Sequence, residues 1–187
     1  RDRVKGKRAK GDHPWRKLVD RAFSKPAVES LEQRARTEKA AVLEEVFRAR
    51  VSVLIGPAGT GKTTLLRILC ELPEVKAGGL LLLAPTGKAR VRLEEATGQR
   101  GEGMTLAQFL LRQRRYDGAT GRYFVNPEGP RSGSHRTVIV DECSMLTEDQ
   151  FAALLDALSG VDRLVLVGDP RQLPPIGAGR PFVDIVR

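Results

Sequence analysis

Four short apolar runs, 51–55, 80–84, 137–140 and 164–167, are continuous rather than alternating, the pattern of strands covered on both faces. Between them lie stretches with helical spacing, at 62–71, 88–96, 105–113 and 148–158. Ahead of the first run, residues 27–50 place Leu31, Ala35, Val42, Val46 and Phe47 near one face of a long helix. Alternating strands and helices predict an α/β fold, a parallel sheet with helices on both faces. Such sheets hold ligands at the carboxyl ends of their strands. Residues 112–136 interrupt the alternation. Asp117-Gly118 and Thr120-Gly121 are turn signals beside Tyr116, Tyr123 and Phe124, which predicts a small inserted hairpin. No run of eighteen apolar residues occurs, so no membrane span and no membrane partner are expected.

The segment joining the first strand to the next helix reads Gly56-Pro57-Ala58-Gly59-Thr60-Gly61-Lys62-Thr63-Thr64. A glycine-rich loop between strand and helix, closed by Lys-Thr, is the pattern of a P-loop NTPase. Its glycines let successive amides point into one concavity, where they and the following helix N-terminus hold polyphosphate. Lys62 would lie along the β- and γ-phosphates, and Thr63 would offer its hydroxyl to Mg²⁺. ATP and Mg²⁺ are therefore the expected cofactors. At the end of the third run, Asp141 and Glu142 supply two carboxylates. Asp141 can hold Mg²⁺ through water, and Glu142 can orient and deprotonate an attacking water. The fourth run leads into Gly168-Asp169-Pro170-Arg171-Gln172 and two further prolines, where a stiffened loop aims a neutral amide able to sense a terminal phosphate. Thr147, followed by Glu148 and Asp149, has the chemistry of a helix N-cap.

Charge sharpens this picture. The net charge is +9, yet residues 1–50 carry fifteen Lys/Arg against eight Asp/Glu, and 112–136 six against two, whereas 137–187 carry four against eight. The basic segments would attract a polyanion such as nucleic acid. Residues 1–26 are expected to be a basic tail or the end of a preceding domain, and 27–187 the α/β domain proper, with 112–136 inserted in it. Two cysteines, Cys70 and Cys143, lack metal-ligand spacing and read as reduced thiols of a cytoplasmic protein. His13, Trp15 and His135 suggest packing or surface positions.

Taken in order, GPAGTGKTT, LLLAPTGKARVRLEEATG, MTLAQFL, VIVDECSML and LVLVGDPRQLPPIGAG closely resemble the first motor domain of superfamily 1 helicases of the RecD-like branch. The resemblance spans about residues 35–187. It implies a RecA-like sheet and an ATP-dependent DNA helicase of repair or recombination, moving 5′ to 3′ on single-stranded DNA towards a duplex junction. It also implies catalytic roles for Lys62, Asp141, Glu142 and the γ-phosphate sensor Gln172. Pro85, Thr86, Gly87, Lys88 and Thr105 would lie on the DNA track, with 112–136 in the place of a strand-separating pin. An equally simple reading makes that hairpin a surface loop whose aromatics cover the sheet edge. Where these helicases place a glutamine that reads adenine, this chain has Glu38, which accepts but cannot donate. Where the branch has Thr-Ile-His, it has Thr105-Leu106-Ala107. The second motor domain, which supplies arginines in the family, is absent from this sequence, so weak nucleotide binding and poor hydrolysis are expected. Two alternatives are a nucleotide-gated binding module without processive unwinding and a helicase acting on RNA. The residues name no nuclease partner.

Overall fold

The computed structural model describes residues 12–23, 30–57, 59–171, 179 and 181–186. In chain order the elements are α1 (Trp15–Ala22), α2 (Ser30–Arg48), β1 (Val51–Ile55), α3 (Lys62–Glu71), α4 (Pro73–Ala77), β2 (Leu80–Ala84), α5 (Gly87–Thr97), β3 (Gly103–Thr105) and α6 (Leu106–Arg112). They continue with β4 (Tyr116–Asp117), β5 (Arg122–Tyr123), β6 (Thr137–Val140), a 3₁₀ turn (Cys143–Met145), α7 (Glu148–Ala157), β7 (Arg163–Gly168) and α8 (Pro181–Val186).

The sheet has five strands in the order β1-β7-β6-β2-β3, all parallel. Side chains alternate between its faces as the pleat requires. Leu54, Leu82, Ile139, Val165 and Val167 join a core with α1 to α5, whereas Leu81, Leu83, Val138, Val140, Leu164 and Leu166 join a second core with α6, α7 and Phe182 of α8. Helices on both faces explain the continuous apolar runs. This is the expected α/β, P-loop type of fold. Because all strands are parallel, Ile55, Ala84, Thr105, Val140 and Gly168 end on one rim.

Several elements differ from the sequence expectation. The predicted face of α2 holds at its C-terminal end, where Val46 and Phe47 are buried, but is rotated before it: Leu31 and Val42 are exposed, and Arg36, Ala40 and Leu43 are buried in their place. Arg36 is tolerated there because Asp20 and Glu32 pair with its guanidinium, as a buried charge requires. Within the segment expected as tail or preceding domain, α1 buries Trp15 and Val19 in the same core as α2 and α3. Its apolar positions Trp15, Leu18, Val19 and Ala22 follow helical spacing. Thr105 ends β3 and caps α6 rather than opening a helix directly, its hydroxyl and Gln108 forming a capping box. Thr147 caps α7 as expected, through a capping box with Gln150.

The inserted hairpin is present as antiparallel β4 and β5, closed by Asp117, which accepts from Ala119 N and Thr120 Oγ1. Tyr116 and Tyr123 stack on each other with ring centroids 4.5 Å apart and pack on the α6–α7 core. Phe124 and Val125 remain exposed. At the opposite end of the sheet, Gly79 has φ +80°, and a Cβ there would lie 2.3 Å from the Ser134 carbonyl oxygen. We therefore expect Gly79→Ala to lower stability by about 1–3 kcal/mol in urea denaturation. No change would mean that the backbone at 134–136 can move aside.

Candidate functional site

The site is built on the rim where the strands end. Gly59 (φ +83°) and Gly61 (φ +88°) adopt left-handed backbone, which side chains disfavour and which turns the loop after β1 into the start of α3. Gly61 is the N-cap of α3 and offers no side chain to its first amides, so those donors and the positive end of the helix dipole are open to an anion. Thr60 Oγ1 donates to Pro57 O at 2.9 Å and fastens the loop. Lys62 Nζ donates to Gly56 O and, at 2.8 Å, to Pro57 O. Its ammonium is thus folded back over the loop.

One cleft is lined by Gly59, Thr60, Gly61, Lys62, Thr63 and Thr64, together with Asp141, Glu142, Gly168 and Asp169. The glycine loop and the acidic couple therefore meet, as expected for two groups at the carboxyl ends of parallel strands. Burial pushes the Asp141 carboxyl above the usual carboxylate range, opposed by the Glu142 N–H and by the charge of Lys62. Glu142 N donates to Asp141 Oδ1 at 2.9 Å. Glu142 itself has φ 53° and ψ 37°, a left-handed conformation that costs a non-glycine residue energy and concentrates at functional sites. Glu142 lines the same cleft.

Thr63 and Asp141 offer hard oxygen donors on the same cleft, the set that suits Mg²⁺ bound through one or two protein oxygens with phosphate and water completing the shell. In the metal-free protein, Asp141→Asn should melt no lower than the parent, because a neutral amide avoids the desolvation that the carboxylate suffers. It should also lose the strengthening of nucleotide binding by magnesium. A clearly lower melting temperature would make Asp141 a net structural contributor.

The remaining candidates are distributed as follows. Pro85, Thr86, Gly87 and Lys88 follow β2 on the same rim, with Thr86, Gly87 and Lys88 exposed. The Thr86 hydroxyl accepts from Ala89 N at 3.2 Å, capping α5, and the Thr105 hydroxyl is likewise engaged as a cap. Glu38 lines a second depression, with Arg16, Ser30, Gln33, Arg34 and Thr37. The α2 side chain that reaches the loop is Lys39: a Cβ on Gly61 would lie 3.2 Å from Lys39 Cε and 3.3 Å from Phe23 Cζ. Ala58 and Gln172 lie outside the described residues. Arg92, Leu93 and Ala96 of α5 also line the cleft, and no motif singled them out.

Both cysteines are free and buried. Burial pushes the Cys70 thiol up to about 12 and raises that of Cys143 as well, so neither is a nucleophile at neutral pH. Among the described residues no group of three His, Cys, Asp or Glu side chains could hold a metal, and no helix is long and apolar enough to cross a membrane.

A family model described as AAA domain matches residues 31–187. The ATP-dependent RecD2 DNA helicase of Deinococcus radiodurans is 35% identical over 150 residues, covering 80% of this chain and 20% of that protein. The RecBCD enzyme subunit RecD of Mycolicibacterium smegmatis is 34% identical over 169 residues, covering 80% and 30%. The chain thus spans a fifth to a third of these relatives. Among solved structures, Pif1 helicase in a study of unwinding at forked duplex DNA superposes with a TM-score of 0.53 at 23% identity, covering 80% of this chain and 36% of that one. Pif1 from Bacteroides sp in complex with ADP-AlF4 gives 0.50 at 22% identity, covering 80% and 35%. At those identities the likeness is one of fold.

Proposed function

This chain belongs to the AAA domain family, in its RecD-like superfamily 1 helicase branch, and from that premise we propose that it is the ATP-binding first motor domain of a helicase that moves on single-stranded DNA and opens duplex ahead of it, 5′ to 3′. The observation that carries this reading is the shared rim. Lys62, Thr63, Asp141 and Glu142 line one cleft, while the exposed Thr86-Gly87-Lys88 segment leaves the neighbouring strand β2 on the same side.

Each residue's task follows from its chemistry. The amides of Gly59 to Thr64 hold the phosphates, and Lys62 exchanges its carbonyl partners for β- and γ-phosphate oxygens. Bound Mg²⁺, held by Thr63 and Asp141, would neutralise charge on the phosphates. Glu142 accepts a proton from the water aimed at the γ-phosphorus. Gln172 senses whether that phosphate is present. Lys88 neutralises a backbone phosphate of the DNA, a contact that positions the strand without reading its sequence.

Fluorescence anisotropy with a labelled oligonucleotide tests the reading on this chain. Single-stranded DNA should bind more tightly than duplex, and Lys88→Ala should reduce the slope of log affinity against log salt by about 1. An ATP analogue with magnesium should alter that affinity. Equal binding of single strand and duplex, indifferent to Lys88→Ala and to nucleotide, would overturn it.

A further inference from the structure

The nucleotide cleft is lined by three carboxylates, Asp141, Glu142 and Asp169, and by two cations, Lys62 and Arg92. Lys62 is held by the loop carbonyls of Gly56 and Pro57. Arg92 is exposed, and among the described residues its guanidinium makes no hydrogen bond and no ion pair. The contrast with its neighbour on α5 is direct. Arg90 donates to Glu94 Oε1 at 2.6 Å, and the same carboxylate oxygen accepts from Gly103 N at 2.9 Å. That arginine is fixed between α5 and β3, on a different side of the helix. Leu93, next to Arg92, is buried in the core with α3, while Arg92 and Ala96, one turn apart, both face the cleft. The helix thus anchors a cation beside the glycine loop and leaves its five donors without an acceptor among the described residues.

We infer that Arg92 is an arginine supplied in cis to the terminal phosphate of the bound nucleotide. The inference rests on the proposed nucleotide site and goes further, because none of the sequence motifs assigned Arg92 a role. A triphosphate brings more negative charge than a diphosphate into a cleft that already holds three carboxylates, and Lys62 together with one magnesium ion would not balance it. A guanidinium donates to two phosphate oxygens at once, and its hydrogen bonds to ionised oxygens are stronger than neutral ones. Arg92 also follows Lys88 by four residues, on the same stripe of α5. The helix that presents Lys88 at the rim therefore carries, one turn on, the group that responds to the terminal phosphate.

The test is a titration of the 187-residue chain with fluorescent ADP and with a fluorescent non-hydrolysable ATP analogue, in magnesium, for the parent protein, Arg92→Ala and Arg92→Lys. Arg92→Ala is expected to weaken the ATP analogue about tenfold, as for loss of a hydrogen bond to a charged group, and to leave ADP affinity unchanged. Arg92→Lys should recover part of the loss, since a point charge lacks the planar fork. Equal affinities for parent and Arg92→Ala, or an equal fall for both nucleotides, would overturn the inference while leaving the nucleotide site intact. A parent protein that binds neither nucleotide would overturn the site itself and this inference with it. Because Arg92 is exposed and makes no hydrogen bond to a described residue, unchanged circular dichroism is expected in both variants.

Discussion

Asp156→Ala should lower the stability of the chain by about 3–5 kcal/mol, the range for stranding one member of a buried ion pair. Its partner, Arg115, is fully buried with a side-chain exposure of 0%. Arg115 Nε donates to Asp156 Oδ2 at 2.8 Å, Nη1 to the carbonyls of Gln113 and Pro130, and Nη2 to those of Asn126 and Asp156. Asp156 also accepts from Asn126 N at 2.9 Å. This clasp ties both ends of the hairpin insertion to α7. Removing the carboxylate leaves a buried cation with carbonyl partners only.

The charge state gives the clasp a pH dependence. Burial pushes the Asp156 carboxyl up, but the Asn126 N–H, Arg115 and Arg131 outweigh it and hold the carboxyl below its ordinary value. A carboxyl depressed in the folded state contributes stability fully above its unfolded pKa and loses it as pH falls through the folded value. The difference between parent and Asp156→Ala in urea denaturation should therefore be large at neutral pH and shrink in acid. Arg131→Ala, which removes a half-exposed partner, should cost about 1 kcal/mol or less. If Asp156→Ala proved as mild as Arg131→Ala, the clasp would be ornamental to stability.

The second large effect is functional. Lys62→Ala should reduce affinity for an ATP analogue by about 10- to 100-fold, corresponding to the roughly 1.5–3 kcal/mol carried by hydrogen bonds to charged groups. The fold should survive. Among the described residues Lys62 bonds only to loop carbonyls of Gly56 and Pro57, which water can satisfy at an open cleft. Equilibrium binding and thermal melting measured on the same samples separate the two effects. Unchanged affinity with an unchanged melt would remove Lys62 from the site.

The glycine loop and the acidic couple were legible in the sequence because their chemistry is local. A strand, a turn requiring positive φ and a helix start occur within fourteen residues, 51–64, and Asp141-Glu142 simply end a buried run. Features that depend on distant partners were not. Arg115 reads as one of many arginines in a basic insertion, and only folding brings Asp156, 41 positions away, against it. The face of α2 was misread because apolar Leu31 and Val42 point to solvent while Arg36 is buried, a reversal that needs Asp20 from α1. The three-residue strand β3 contains Gly103 and is too short for a periodic signal. The left-handed backbone of Glu142 follows from a turn that no residue type announces. Arg92 had a faint signal, the four-residue step from Lys88.

The most direct test of the account is the crystal structure of this chain with magnesium and a non-hydrolysable ATP analogue. It should place the triphosphate on the amides of Gly59 to Thr64 and the metal at about 2.1 Å from Thr63 Oγ1, with Asp141 reaching it directly or through a water. Nucleotide and metal bound on any other surface, with the glycine loop and the Asp141-Glu142 couple left bare, would contradict it.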